Sequence, residues 1–278
     1  MNQRQVLRYI IEQEHRIGSY VDDEPTSLER TPGNDNFLPA GRVIAIPYFE
    51  EDGVEGVAEL WQPPGPSTGT RRPPARTKAH SRGYLVFQRA NRSVSFSSTY
   101  ELTCTLLLMA NSAVVDVEDQ PPAVTYIGSD GKEHEHTFDY RATLANGKRM
   151  AFAVKPSDQV EKTGICDIIQ RTKPNLPSFA DQAVLLTDRT LTRAVAWNSK
   201  SVLKAQKVRN EDECDRMRHS LRNIHGEVSA FGLARKFDRF ADGLNAIWCL
   251  LYDGVIEMST PQQKLVDAPW IRVRTDRL

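Results

Sequence analysis

The sequence predicts an α/β protein in which a mixed sheet is flanked by helices and followed by a smaller module of three helices and a β-hairpin. Three observations predict it. Strand-like and helix-like hydrophobic periods alternate from Tyr84 to about residue 200. Beyond that the periods become helical and end in two short strands, VIEM and WIRVR. A hydrophobic content of 40% in 278 residues supports a real core.

Taken in order, Gln3 to His15 reads as a helix with Val6, Leu7, Ile10 and Ile11 on one side, and a polar loop runs from about Asp22 to Pro39. GRVIAIPYF and VEGVAELW read as short strands. The stretch QPPGPSTGTRRPPARTKAHSRG, with five prolines, three glycines and a run of cations, reads as a flexible basic loop. GYLVFQ and SVSFS are strands, and a helix spans about Thr99 to Asn111. AVVDVEDQP, AVTYIG and the hairpin within HEHTFDYRATLANGKRMAFAVK follow, then the strand AVLLTD and a helix from near Leu191. The last part holds a helix through Leu221, one from about Ser229, one from about Asp242 to Tyr252, and the two final strands. Three helices with a β-hairpin suggest a winged-helix-like module. The expected domains are an N-terminal segment with the basic loop (1–83), a core (84–201) and the C-terminal module (202–278).

The formal net charge is zero, but its distribution is uneven. Residues 1–60 carry 12 acidic and 5 basic side chains, residues 61–100 carry 7 basic and none acidic, and residues 101–140 carry 8 acidic and 1 basic. An acidic block between basic ones suits a cation-dependent site on a polyanion, although solvated surface charge gives the same pattern. No apolar run approaches the length of about 20 residues that a membrane helix needs, and the first residues lack a signal-peptide core. Cys104, Cys166, Cys214 and Cys249 show no C-x-x-C spacing, so reduced thiols and a cytoplasmic location are expected.

The order RSVSFSSTYE, VEDQP, HTFDY, FAVK and VLLTD, with Trp197-Asn198 near the start of the next helix, resembles the TnsA-like endonuclease subunit of heteromeric DNA transposases. The resemblance covers about residues 84–200 and implies a restriction-endonuclease-like core. It matches Glu101 to an acidic residue of the core's first helix, Asp139 to a metal-binding aspartate and Lys155 to the lysine closing the active-site hairpin. It implies a metal-dependent cut in one strand at transposon ends, with Mg²⁺ (or Mn²⁺) as cofactor. The partners it implies are double-stranded DNA, a strand-transferring transposase subunit and an AAA+ ATPase regulator. Two positions depart from the pattern: Ala153 stands where a Glu or Gln is usual, and Phe138 where proline is frequent. A catalytically silent DNA-binding and assembly module is therefore the alternative reading.

Phosphodiester hydrolysis explains the residue types. A hard cation takes oxygen ligands, here the Glu101 and Asp139 carboxylates and the Val154 carbonyl, and Lys155 stabilises charge on the phosphate or orients the water. Each residue also has a plainer role: Ser98-Thr99-Tyr100-Glu101 is a capping box, and Asp139 and Lys155 can be surface residues. His134 and His136 alternate onto one strand face but lack two further close ligands for zinc, so they read as structural.

Geometry adds a requirement. A two-residue turn at Asn146-Gly147 pairs residues whose numbers sum to 293 and puts Asp139 and Lys155 out of phase. A site needs a sum of 292 or 294. DNA contacts are expected from Arg71, Arg72, Arg76, Lys78 and Arg82 of the basic loop and from Lys200, Lys204 and Lys207. The helix ADGLNAIWCLLYDG has no Lys or Arg, which suits packing and protein docking rather than base reading.

Overall fold

The computed structural model describes residues 41–49, 55–69 and 81–277. The helix expected at 3–15, and Arg71, Arg72, Arg76 and Lys78 of the basic loop, lie outside the described residues. The chain from Ala40 onward forms one compact unit.

β1 (Arg42–Phe49) and β2 (Glu55–Gln62) pair as an antiparallel hairpin. A two-stranded ribbon has little surface to bury, and Val43, Ile46, Val57, Leu60 and Trp61 remain exposed. β3 (Gly83–Phe87) and β4 (Arg92–Phe96) form a second antiparallel pair that feeds α1 (Thr99–Met109). Ser98 caps α1 by accepting from the Glu101 N–H at 3.1 Å.

Then come β5 (Val114–Asp119), the small hairpin β6 (Val124–Ile127) and β7 (Glu133–His136), β8 (Tyr140–Leu144) and β9 (Arg149–Val154). α2 (Ser157–Thr163) and α3 (Ile165–Thr172) lead to β10 (Gln182–Leu186) and to α4 (Arg193–Lys207). The central sheet has the order β10-β9-β8-β5, antiparallel except for the parallel β9–β10 pair. A parallel pair needs a crossover, which α2 and α3 supply; the sequence analysis did not anticipate these two short helices, polar α2 and amphipathic α3.

The pleat of β9 sorts its side chains onto two cores. Phe152 and Val154 join Cys104, Leu108, Tyr140 and Ala142 on the α1 side, while Ala151 and Ala153 join Phe138, Ile165 and Leu176 on the α3 side. Both faces are covered, which explains why RMAFAV reads as nearly continuous apolar sequence.

The C-terminal part runs α5 (Glu211–Leu221), β11 (Glu227–Ser229), α6 (Ala230–Ala234), α7 (Phe240–Asp253), β12 (Ile256–Met258) and β13 (Trp270–Val273). Its three strands pair antiparallel in the order β11-β13-β12. Ala246 to Leu250 are buried without a break, so α7 is a core helix wrapped on all sides. Trp248 meets Trp197 of α4 edge to face, with ring centroids 5.8 Å apart. α4 packs on both α1 and α7, and the boundary expected between residues 201 and 202 falls inside it. A cavity of about 630 Å³ lies where these helices meet β12, with Leu107, Val202, Ile256, Met258, Arg274 and Arg277 in its walls.

Among the described residues no helix is long and apolar enough to cross a membrane. All four cysteines are free, and only Cys166 is exposed.

Candidate active site at the split end of the central sheet

The β8–β9 hairpin closes with three residues, Ala145-Asn146-Gly147. Leu144 N–H donates to the Lys148 carbonyl at 2.8 Å, and Gly147 takes the left-handed conformation (φ 80°) that this loop requires. The pairs Tyr140 with Phe152 and Thr143 with Arg149 both sum to 292. The ladder stops at Tyr140 with Phe152, and the Asp139 N–H donates to the Phe152 carbonyl at 2.9 Å, so Asp139 stands outside the 292 pairing that was expected to set it on one face with Ala153.

Asp139 lies in the bend just before β8, where β8 leaves β9. Its Oδ2 accepts from the Val154 N–H at 2.7 Å, taking the ladder position that β8 has vacated. Lys155 N–H donates to the Leu186 carbonyl at 3.0 Å. Backbone groups alternate sides along a strand, so the Val154 N–H and carbonyl both face away from β10, toward the Asp139 bend. Burial pushes Asp139 up to about 6, with the nearby Glu101 charge adding to the rise and the Val154 N–H and Lys155 opposing it. The structure therefore brings Glu101, Asp139 and Lys155 within electrostatic reach of one another.

Glu101 also does its capping work. One carboxylate oxygen accepts from the Ser97 N–H at 2.8 Å, one residue earlier than a simple capping box predicts, and the other accepts from Ser98 Oγ at 3.1 Å. Ala153 is 1% exposed and its methyl group lies in the apolar cluster with Phe138 and Ile165. Among the described residues no three His, Cys, Asp or Glu side chains converge as a metal-ligand group. The donors at this corner are two carboxylates and a carbonyl, all oxygen, which suits Mg²⁺ or Mn²⁺ rather than zinc. Gln120 Oε1 and His136 Nε2 are buried without a hydrogen-bond partner.

The two histidines part company. His134 pairs with Asp130 at 3.0 Å on the surface, while half-buried His136 stacks edge to face on Phe138 at 4.7 Å. Burial, helped by Lys155, holds the His136 pKa below its usual value, so this ring is neutral at pH 7.

The sequence analysis missed Asp119. This aspartate is 1% exposed and accepts five hydrogen bonds: from Ser67 Oγ, from Thr68 N and Oγ1 at 3.1 and 2.9 Å, and from Ser95 N at 3.0 Å and Oγ. Burial alone would raise its pKa, but the Ser67, Ser95 and Thr68 bonds outweigh burial and hold it low. A Cβ at Gly69 would lie 2.8 Å from Asp119 Oδ2, so only glycine lets the chain pass this closely. No local signal announces a clasp between residues 52 positions apart.

Of the expected DNA contacts, Lys200, Lys204 and Lys207 stand exposed at i, i+4 and i+7 on α4, opposite its buried Val195, Ser199 and Val202. Among the described residues no carboxylate forms an ion pair with any of them. Arg82 is half-buried just ahead of β3. Asn245, the one base-reading side chain of α7, donates instead to the Val208 carbonyl at 3.2 Å.

Compared with protein-family models and with curated proteins, the chain matches none.

Proposed function

We propose that this protein is a metal-dependent DNA endonuclease subunit of a transposase, TnsA-like, that hydrolyses one strand at transposon ends. The observation that carries this reading is the corner at the end of the sheet where Asp139 accepts from the Val154 N–H, with Glu101 and Lys155 in electrostatic reach. The mixed sheet order β10-β9-β8-β5 with helices on both faces supports a restriction-endonuclease-like core. The succession α5, β11, α6, α7, β12, β13 with sheet order β11-β13-β12 supports a winged-helix-like C-terminal module.

The chemistry follows from the donors. A bound Mg²⁺ or Mn²⁺ supplies phosphate polarisation and an acidified water. Glu101, Asp139 and the Val154 carbonyl would hold it. Lys155 places a fixed positive charge beside the reacting phosphate, in a partly water-excluded corner where charge is worth more than in bulk solvent. The unpaired lysine stripe on α4 and the basic loop would track the DNA backbone. The cavity beside α4, and an α7 without Lys or Arg, support protein docking by the C-terminal module, to a strand-transferring transposase subunit and an AAA+ regulator, in the cytoplasm.

Ala153 favours a second reading, a silent DNA-binding and assembly module, because a methyl group offers no metal or water contact. Strand cleavage decides between them. The full chain, alone and with the adjacent transposase subunit, is incubated with supercoiled plasmid carrying the transposon end, in Mg²⁺, Mn²⁺ or EDTA. Metal-dependent nicking supports the endonuclease; DNA binding without nicking in either metal supports the silent module.

A further inference from the structure

Two of the four cysteines take no part in the Asp139 corner and lie against each other. Cys214 of α5 and Cys249 of α7 are both 0% exposed, inside the apolar cluster that holds the C-terminal module together. Their thiols hydrogen-bond to one another. A cysteine side chain reaches only one carbon and one sulfur from the backbone, so thiols in contact mean that the two helices approach closely at this level.

The neighbouring rung repeats the approach. One turn further along both helices Arg218 pairs with Asp253 at 2.6 Å, and each of these residues stands four positions after its cysteine. Cys249 Sγ also donates to the Ala205 carbonyl of α4 at 3.7 Å and lies 3.9 Å from Asn245 Nδ2. The hydrogen bond from Cys249, together with the Arg209 and Arg218 charges, holds the Cys214 thiol below its usual pKa despite burial. The same hydrogen bond and burial push Cys249 up. One thiol is therefore the nucleophile of the pair and the other keeps its proton. Among the described residues no third His, Cys, Asp or Glu joins them as a metal-ligand group.

We infer that Cys214 and Cys249 form a dithiol oxidation site, which hydrogen peroxide converts to a disulfide joining α5 to α7. The Cys214 thiolate attacks one peroxide oxygen, the O–O bond breaks, and that oxygen stays on sulfur as a sulfenic acid. The other oxygen leaves as hydroxide and takes up the proton that Cys214 released. Cys249 sulfur then displaces the sulfenic hydroxyl, which leaves as water with the Cys249 proton, and the S–S bond forms. The two sulfurs lose two electrons and the peroxide ends as two waters. Burial excludes bulky oxidants, so entry is left to a small one during local opening of the module.

The test treats the full chain, reduced and in a Cys166→Ser background that removes the exposed thiol, with hydrogen peroxide at neutral pH. Remaining thiols are alkylated under denaturing conditions, linked peptides are mapped by mass spectrometry, and thermal melts are recorded with and without dithiothreitol. The expected product is one intramolecular Cys214–Cys249 link with Cys104 still alkylated. Its melting temperature should be higher by roughly 5 °C or more and should return to the reduced value in dithiothreitol. Cys214→Ala and Cys249→Ala should each abolish the link and the shift, and the mapping of the chain with both thiols intact stands whether or not these variants fold. Recovery of both thiols unoxidised, oxidation of either one alone without a link, or a link to Cys104 instead would overturn the pairing. A Cys214–Cys249 link that leaves the melting temperature unchanged would overturn the fastening of α5 to α7.

Discussion

Asp119 ends β5 and Asp139 precedes β8, one register step apart at the same end of the sheet, and the donors around them differ sharply. Asp119 is wrapped by five hydrogen-bond donors and stays ionised despite burial. Asp139 has a single backbone donor from Val154, and burial lifts it to about 6. A fully satisfied buried carboxylate is a fastener. An under-satisfied one beside a second carboxylate and a lysine is where the proposed cation would supply the charge that the protein withholds.

The largest effect expected from this contrast is on cleavage. Asp139→Asn keeps an acceptor for the Val154 N–H but loses the charge, and should lower metal-dependent nicking by roughly three orders of magnitude, consistent with the several kcal/mol a positioned cation contributes. In EDTA at pH 7.5 the same variant should unfold in urea at higher concentration than the wild type. A variant that loses both activity and stability would mark Asp139 as structural, like its neighbour.

Asp119→Ala should do the reverse. It strands Ser95 and Thr68 N–H donors in a buried setting, for a loss of about 3 kcal/mol in urea unfolding, with Mn²⁺ affinity preserved in the folded fraction. A mild effect, below about 1 kcal/mol, would show that the clasp is replaceable and the comparison too sharply drawn.

Much of the fold was legible because period-2 patterns sit on the strands, a period of 3.6 on α4 and α5, and unbroken apolar runs on α1 and α7. The hairpin register was legible only by asking what a site needs, since Asn146-Gly147 alone signals a shorter turn than the Ala145-Asn146-Gly147 loop found here. The Asp119 clasp was not legible, because a contact across 52 positions leaves no periodic trace. The sequence also invites Ala153→Glu as a repair that keeps or raises activity. The packing argues otherwise, since a carboxylate there enters the cluster of Phe138, Ile165 and Ala151; a destabilisation of about 2–3 kcal/mol is expected, read by urea unfolding at pH 7.5.

The two aspartates also titrate in opposite senses. Folded Asp139 holds its proton to about pH 6, whereas an unfolded aspartate releases it near 3.9. The folded state thus binds the extra proton between about pH 4 and 6, and its stability falls as pH rises through that window, by about 3 kcal/mol. Asp119, depressed in the folded state, adds stability at neutral pH that is lost on acidification below the unfolded value. Urea unfolding of wild type, Asp139→Asn and Asp119→Ala across pH 3 to 8 separates the two limbs. Saturating Mn²⁺ should abolish the Asp139 limb, because the cation keeps the carboxylate ionised; a limb unchanged by Mn²⁺ would break the link between its raised pKa and metal binding.

The smallest expected effect extends the comparison from paired and unpaired carboxylates to cations. Arg209, between α4 and α5, and Arg218 of α5 both pair with Asp253 of α7, at 2.8 and 2.6 Å, and fasten this chain segment to α7 in the way Asp119 fastens β5. Lys200, Lys204 and Lys207, one helix earlier, have no such partner among the described residues and share one exposed face of α4. Phosphate contacts made by free lysines release counterions, so each contact contributes about one unit to the slope of log affinity against log salt. Single Lys→Ala changes along this stripe should each lower the slope by nearly one and weaken duplex binding by about 1 kcal/mol or less at 0.1 M salt, with no change in melting temperature. Arg218→Ala, as the paired control, should lower the melting temperature and leave the salt slope alone. Lysine variants that leave the slope unchanged would take α4 out of the DNA path and leave phosphate contact to the basic segment ahead of β3.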